Sequence, residues 1–171
     1  MGKSQEAIER GEEAQKILSN STFHPAYLRL EVLTDVARLY EDKQLSRAID
    51  AYQQALVVEK ELGYESTRTM SNTLGTLAWL LTRAGRPFEA QQHQRRGMDI
   101  LGEDSLGGWA LQSYAETLRE LGRVDEAAKY GEEAVSRAKR LNNTISLIQA
   151  LTTLGRIRRD QKQFDTAKAR L

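Results

Sequence analysis

The stretch LGTLAWLLTRAGRPFEA, residues 74–90, decides the fold of this chain. Its residues Leu74, Leu77, Ala78 and Leu81 are spaced so that they share one stripe of a helix. Gly85 is a signal for the end of a helix. Pro87 suits the first turn of a second helix, where its missing N–H costs least. The stretch therefore predicts an amphipathic helix, a tight turn and the start of a second helix.

The same two-helix pattern recurs along the chain at intervals of about 40 residues. A polar residue followed by alanine marks each second helix, and these alanines are Ala7, Ala48, Ala90, Ala127 and Ala167. The stripe of the first helix precedes the last four of them, over residues 33–40, 74–81, 111–118 and from 151 onward. Such periodicity is typical of stacked units that bury their apolar faces on one another. We therefore predict an all-α fold, an α-solenoid of antiparallel helix hairpins.

Small residues at fixed places indicate close packing of these helices. The facing pairs are Ala37 with Ala48, Ala78 with Ala90, and Ala115 with Ala127. Only a methyl-sized side chain lets two helix axes approach so closely. Gly11 and Gly131 also share a repeat position, although glycine costs about 1 kcal/mol relative to alanine inside a helix. We interpret these glycines as close-packing positions, and a ligand approaching the backbone is the alternative.

These residues resemble the tetratricopeptide repeat (TPR), a helix–turn–helix unit that stacks into a right-handed superhelix. The best copies are residues 74–90 and 111–127, and the long period is similar to that of kinesin light chains and bacterial TPR regulators. The resemblance divides the chain into a lone second helix (1–20), complete repeats over 25–62, 66–102 and 107–141, and a truncated repeat over 144–171. The asparagine pairs of cargo-binding members are missing, which argues against kinesin-like peptide binding.

The resemblance implies that the first helices line a concave groove that binds a partner protein or peptide. The expected partner-binding residues point away from the buried stripe, and they are Arg38, Asn72, Trp79, Thr82, Arg83, Gln112, Glu116, Arg119, Gln149, Thr152, Arg156 and Arg159. Trp79 flanked by Arg83 and Arg119 has the composition of an interface hot spot. The alternative is that Trp79 packs against the neighbouring repeat. Trp109 lies at the start of its helix and is expected to cap a core layer.

Two polar segments lie outside the buried stripes, and the first has two competing interpretations. The cluster Arg156, Arg158 and Arg159 is either a solvated helix face or a contact for an acidic partner segment through bidentate arginines. The run over residues 91–96 is expected to lie mostly on the convex, solvent-facing side.

Composition excludes several classes of protein. The 171 residues carry 25 Lys plus Arg against 24 Asp plus Glu, and the net charge of +1 gives no electrostatic footprint for a nucleic acid. There is no cysteine, which excludes disulfides and thiolate metal sites and fits a reducing compartment. No segment approaches the roughly 20 apolar residues of a membrane span, and the polar N-terminus lacks a signal core. We expect a cytoplasmic protein.

Nothing in the sequence indicates catalysis or a cofactor. There is no glycine-rich phosphate loop of the P-loop type. His24 and His93 are isolated, so neither has a second histidine at metal spacing, and both are expected at the surface. We therefore predict a protein that is not an enzyme and that holds no metal and no cofactor.

The leading hypothesis is a protein-interaction module that belongs to a larger regulatory or scaffold protein. A sensor domain of a transcription or signalling protein is the alternative, and helical-repeat RNA binding is disfavoured by the neutral charge and the long period. Neither end carries a full capping helix, which predicts a segment excised from a longer protein. Uncapped ends also predict self-association, either head-to-tail or by swapping.

Overall fold

The computed structural model describes residues 2–20 and 25–168, and over these residues the chain forms eight α-helices and no strand. The helices are α1 (Gly2–Asn20), α2 (Ala26–Tyr40), α3 (Leu45–Glu61), α4 (Arg68–Arg83), α5 (Pro87–Leu101), α6 (Gly108–Glu120), α7 (Val124–Arg140) and α8 (Thr144–Lys168). A short 3₁₀ helix, Glu103–Ser105, precedes α6. The predicted all-α solenoid is confirmed. His24 lies outside the described residues, as do the side chains of Thr166 and Ala167.

Successive helices pair into hairpins that stack along the chain. Helix α2 packs on α3, α4 on α5, and α6 on α7, while α1 packs on α2 and α8 on α7. The hairpins stack through α3 with α4, α5 with α6, α4 with α6, and α6 with α8. Each amphipathic helix thereby buries its apolar stripe on its neighbours, which is the source of stability in a solenoid.

The predicted turns form where the glycines stand. Gly85 and Gly122 have φ of 72° and 73°, the left-handed conformation that glycine adopts without steric cost. The next residue in each turn donates its N–H back to a helix carbonyl, Arg86 to Leu81 and Arg123 to Leu118, both at 2.9 Å. Pro87 begins α5, as predicted. These hydrogen bonds close the tight turn that joins the first helix of each hairpin to its second helix.

The predicted close packing of small residues is confirmed. The six hairpin alanines at 37, 48, 78, 90, 115 and 127 are fully buried. A Cβ added at Gly11 would lie 2.8 Å from Val36 Cγ2, and one added at Gly131 would lie 3.2 Å from Leu154 Cδ1. Both glycines therefore let a second helix press against the following first helix.

The last helix differs from its expected form. The motif at Thr166–Ala167 predicts the start of another second helix after a turn, yet α8 continues unbroken to Lys168. The position equivalent to Gly122 is Lys162, so the residue that ends the preceding first helix is missing here. Gln161 instead donates to Asp125 Oδ1 at 2.6 Å, which fastens α8 to the start of α7.

Candidate partner-binding groove

An open groove separates the first helices of two neighbouring hairpins, α2 and α4. No Cα atoms of these two helices come within 8 Å of each other, and α3 lies behind the gap. We call this space the α2–α4 groove; its volume is about 650 Å³. Its lining residues are Tyr27, Leu30, Glu31, Thr34, Arg38, Glu41, Tyr52, Glu59, Thr69, Asn72, Thr73, Thr76, Trp79 and Trp109. Of the predicted partner-binding set, the groove brings together Arg38, Asn72 and Trp79.

Two tryptophans from successive hairpins meet at one side of this groove. The rings of Trp79 and Trp109 lie 6.5 Å apart in an edge-to-face arrangement, at 61°. The guanidinium of Arg83 stacks 4.6 Å from the centroid of Trp79 and donates from Nη1 to the carbonyl of Glu41 at 3.2 Å. Trp79 is half-buried, so it packs on the neighbouring repeat and also lines the groove.

The position of Trp109 corrects the expectation that it caps a core layer. Its side chain is 38% exposed and lines the groove beside Trp79. The ring of Trp109 packs over Gly75, where an added Cβ would make an ordinary van der Waals contact with it at 3.5 Å. The other side of the same ring covers a small cavity of about 130 Å³ between α4, α5 and α6.

A buried carboxylate that sequence reasoning missed lies at the back of the groove. Glu59 of α3 is completely buried, and its Oε1 accepts a hydrogen bond from Thr73 Oγ1 at 2.8 Å. Its Oε2 is buried without a hydrogen-bond partner. Burial raises the pKa of the Glu59 carboxyl, and the hydrogen bond from Thr73 only partly opposes this. The groove therefore contains an acidic group that lacks a compensating charge.

A buried tyrosine that also lines the groove is held by a second carboxylate. Tyr52 is buried, and its hydroxyl donates to Glu41 Oε1 at 2.7 Å. Burial and this hydrogen bond raise the pKa of Tyr52 well above its usual value, so the phenol keeps its proton. The contact fixes the end of α2 against α3 and thereby defines one rim of the groove.

The first helices α6 and α8 are joined directly by hydrogen bonds between their side chains. Gln112 donates to Thr153 Oγ1 at 3.1 Å, Arg119 to Asp160 Oδ2 at 2.7 Å, and Arg156 to Glu116 Oε1 at 3.2 Å. We call this set of six residues the α6–α8 seam. Four predicted partner-binding residues, Gln112, Glu116, Arg119 and Arg156, are therefore engaged within the protein. Thr82 is engaged in a similar way, 2.8 Å from Thr117 Oγ1 across α4 and α6.

Arg119 does not act as a free flank of Trp79. Its side chain is only 18% exposed and forms ion pairs with Glu116, Glu120 and Asp160. The hydrogen bond from Arg119 is the main reason why the pKa of Asp160 lies below its usual value. Arg119 therefore joins α6 to α8 within the protein.

The basic cluster of α8 is matched by carboxylates. Arg156 pairs with Glu116, Arg158 with Glu132 of α7, and Arg159 with Asp160. Since each guanidinium already has an acidic neighbour, the arrangement favours the interpretation as a solvated, ion-paired face. Gln149, Thr152 and Arg159 remain exposed on α8, away from the α2–α4 groove.

The polar run of α5 corrects a second expectation. Gln94 is 5% exposed and donates from Nε2 to Ser113 Oγ at 3.2 Å, so it faces α6 rather than solvent. His93 is half-buried, and burial lowers the pKa of its imidazole. Gln92, Arg95 and Arg96 are exposed, as predicted for the convex side.

The described parts of the chain offer neither a cluster of metal-ligating side chains nor a membrane-spanning helix. No group of three or more His, Cys, Asp or Glu residues there could hold a metal ion. No helix in the described residues is both long enough and apolar enough to cross a membrane.

Comparison with known proteins identifies the architecture. Residues 108–171 match the family model of the tetratricopeptide repeat. No curated protein matches the sequence. The fold is similar to that of BtubC (BKLC) from P. vanneervenii, with a TM-score of 0.76 and 18% identity over 98% of this chain and 70% of that chain. Two crystal structures of nearly identical TPR-like repeats, from a Podosopora anserina protein assigned as a kinesin light chain, give TM-scores of 0.75 and 0.73 at 20% identity, covering 98% of this chain and 83% of theirs.

Proposed function

We propose that the chain is an interaction module that binds a partner protein or peptide in the α2–α4 groove. Residues 108–171 match the family model of the tetratricopeptide repeat, and the chain shares the fold of TPR-like repeats. Repeats of this family generally mediate protein–protein interaction. The module acts by presenting a preformed surface and performs no chemistry of its own. The observation that supports this proposal is a groove of about 650 Å³ bordered by two accessible tryptophans.

The groove suits a partner better than the rest of the first-helix surface does. Tryptophan and arginine are the residue types that dominate binding energy at interfaces, and Trp79, Trp109 and Arg83 meet here. The side chains of the α6–α8 seam already bond to each other, so a partner would have to replace those bonds. The net charge of +1 supports a protein partner over a nucleic acid.

Site-specific photo-crosslinking tests the location of the binding surface. A photoreactive amino acid replaces Asn72, which is exposed in the groove, or Gln92, which is exposed on α5 outside it. We expect the partner from an extract of the source organism to crosslink through position 72 and not through position 92. Crosslinking from position 92 alone would show that the groove assignment is wrong.

A regulatory sensor is the second candidate function, and one observation favours it. Helices α2 and α4 make no backbone contact, so a bound partner is able to change their spacing without breaking a packed interface. Spin labels on Arg38 and Asn72, which are both exposed, would report that spacing by pulsed electron resonance. An unchanged distance distribution on partner binding would exclude this role.

Self-association through α8 is a further part of the proposal, as is a cytoplasmic location. Ile145, Ile148 and Leu151 form an exposed apolar stripe on this helix, with exposed fractions of 72%, 60% and 49%. A second copy covering the stripe would bury this area. Sedimentation equilibrium with Ile148→Glu as the control tests the idea, and a strict monomer at high protein concentration would contradict it.

The proposed cytoplasmic location is tested by cell fractionation of the tagged protein.

A further inference from the structure

We propose that the α2–α4 groove binds its partner through one basic side chain, an arginine or a lysine, whose cationic head pairs with Glu59. This inference rests on the proposed function and adds the chemical class of the residue that is recognised. It differs from the sequence-based hypothesis of an acidic partner segment, which concerned the arginines of α8.

Glu59 carries the inference because it is a buried acid that lacks a counter-charge. The side chain is fully buried at the back of the groove, and Oε2 has no hydrogen-bond partner. Among the described residues, the donor to its other oxygen is the neutral hydroxyl of Thr73. A buried carboxylate is costly unless a cation and further hydrogen bonds compensate it. An arriving guanidinium or ammonium group supplies both.

The charges around Glu59 favour the same occupant. The lining of the groove contains three carboxylates, Glu31, Glu41 and Glu59, and one cation, Arg38. A second cation, Arg83, stacks on Trp79 beside the lining. Arg38 already bonds to Asp35 Oδ1 at 3.2 Å, so its charge is offset on its own helix. Electrostatic complementarity therefore selects a basic partner segment and repels an acidic one.

Aromatic walls suit the stem of a long basic side chain. Tyr27 is 61% exposed and Trp109 is 38% exposed, and both line the groove with Trp79. The stacking of Arg83 on Trp79 is an example of the same chemistry within this protein. An arginine or lysine stem can pack along such rings, and its head reaches Glu59 once the side chains that cover this carboxylate in the free protein move aside.

A displayed library of random 12-residue peptides, selected in parallel on the wild-type protein and on Glu59→Gln, tests the inference. We expect the wild type to enrich peptides with an arginine or lysine at one common position. Replacing that residue in a synthetic peptide by citrulline or norleucine should weaken binding by about tenfold or more, the scale of a charge-assisted hydrogen bond. The same loss is expected for Glu59→Gln with the unmodified peptide, and combining the two changes should add little further.

The controls separate this inference from the proposed function. Glu65→Gln removes an exposed carboxylate that does not line the groove and should leave binding unchanged. Peptides that crosslink to position 72 yet carry no common basic residue would overturn the inference and leave the proposed function standing. A selection that gives no groove-binding peptide would overturn both. If Glu59→Gln does not fold, the carboxyl carbon signal of Glu59 in the wild type gives the answer, because an unchanged shift on peptide binding would overturn the pairing.

Discussion

The α2–α4 groove and the α6–α8 seam are built from the same kind of helix face, yet one is open and the other is closed. In the seam, polar side chains of α6 and α8 bond directly, with Arg119 on Asp160 and Gln112 on Thr153. Across the groove, a hydrogen bond from Arg83 to the carbonyl of Glu41 links α4 to the end of α2. One repeat architecture can therefore use its first helices either to hold itself together or to leave room for a partner.

The strongest way to break this comparison is to remove the aromatic wall of the groove. Trp79→Ala should weaken partner binding by about 2 kcal/mol or more, because a central tryptophan typically dominates interface energy. Phe88→Ala, which removes an aromatic ring that is 76% exposed on α5, should have little effect. Titration calorimetry with the captured partner measures both variants. Equal losses for the two would mean that the groove is not the binding surface.

The seam should respond in stability rather than in binding. Arg119→Met would leave Glu116, Glu120 and Asp160 close together without their shared cation. We expect a loss of about 2 kcal/mol in the free energy of unfolding, between the values typical of exposed and of buried ion pairs. Arg10→Met removes an ion pair whose arginine is 74% exposed and should change stability by less than about 0.5 kcal/mol. Urea unfolding compares the two, and a similar small effect for both would contradict a structural role for the seam.

At the α2–α4 groove, Glu59 should make the free energy of unfolding depend on pH. Because the pKa of Glu59 is raised in the fold, its ionisation disfavours the folded state above the pKa of the unfolded chain. Glu59→Gln should therefore stabilise the protein by about 1 kcal/mol at neutral pH, the scale of one uncompensated buried polar group. The gain should shrink as the pH falls through the folded pKa towards 4, where glutamate is protonated in both states. Thermal unfolding at pH 4 and pH 7 measures this, and a gain that does not depend on pH would contradict the argument.

The smallest expected effect is a difference in stability between two glycine substitutions, one where α1 packs on α2 and one where α7 packs on α8. At Gly11 a new methyl group would meet Val36 Cγ2 at 2.8 Å, and a β-branched side chain cannot easily move away. At Gly131 it would meet the end of Leu154, a flexible side chain, at 3.2 Å. Gly11→Ala should therefore destabilise by about 1 kcal/mol, whereas Gly131→Ala should be nearly neutral because alanine gains about as much in helix propensity. Equal unfolding midpoints for the two variants would contradict this difference.

The hairpins could be predicted from the sequence because their determinants are local. A stripe of apolar residues at helical spacing, followed by Gly85 or Gly122, is sufficient to specify a helix, a turn and a second helix. The burial of Glu59 could not be predicted in this way. A glutamate in a helix is ordinarily exposed, and its burial depends on the packing of α4, which places Thr73 against it.

The seam had a signal in the sequence that helix periodicity does not reveal. Gln112 and Thr153 are 41 residues apart, as are Arg119 and Asp160, while Glu116 and Arg156 are 40 apart. These separations match the repeat period, so complementary polar residues one period apart mark lateral contacts between first helices. Without that comparison, four of these residues, Gln112, Glu116, Arg119 and Arg156, are predicted to lie on the partner surface. The position of Trp109 likewise depends on a contact between repeats, the edge-to-face packing of its ring on Trp79.

The gap between α2 and α4 also has a consequence for cooperativity. Over the described residues, the backbone contacts between the helices α1 to α3 and the rest of the solenoid are those of α3 with α4. The hydrogen bond from Arg83 to the carbonyl of Glu41 adds one side-chain link. In a linear array the weakest interface between neighbours decides where folding divides into separate units. We predict that the junction of α3 with α4 is such a division, so that hydrogen exchange detects the first three helices together. A ligand that touches both α2 and α4 would join the two units into one cooperative transition.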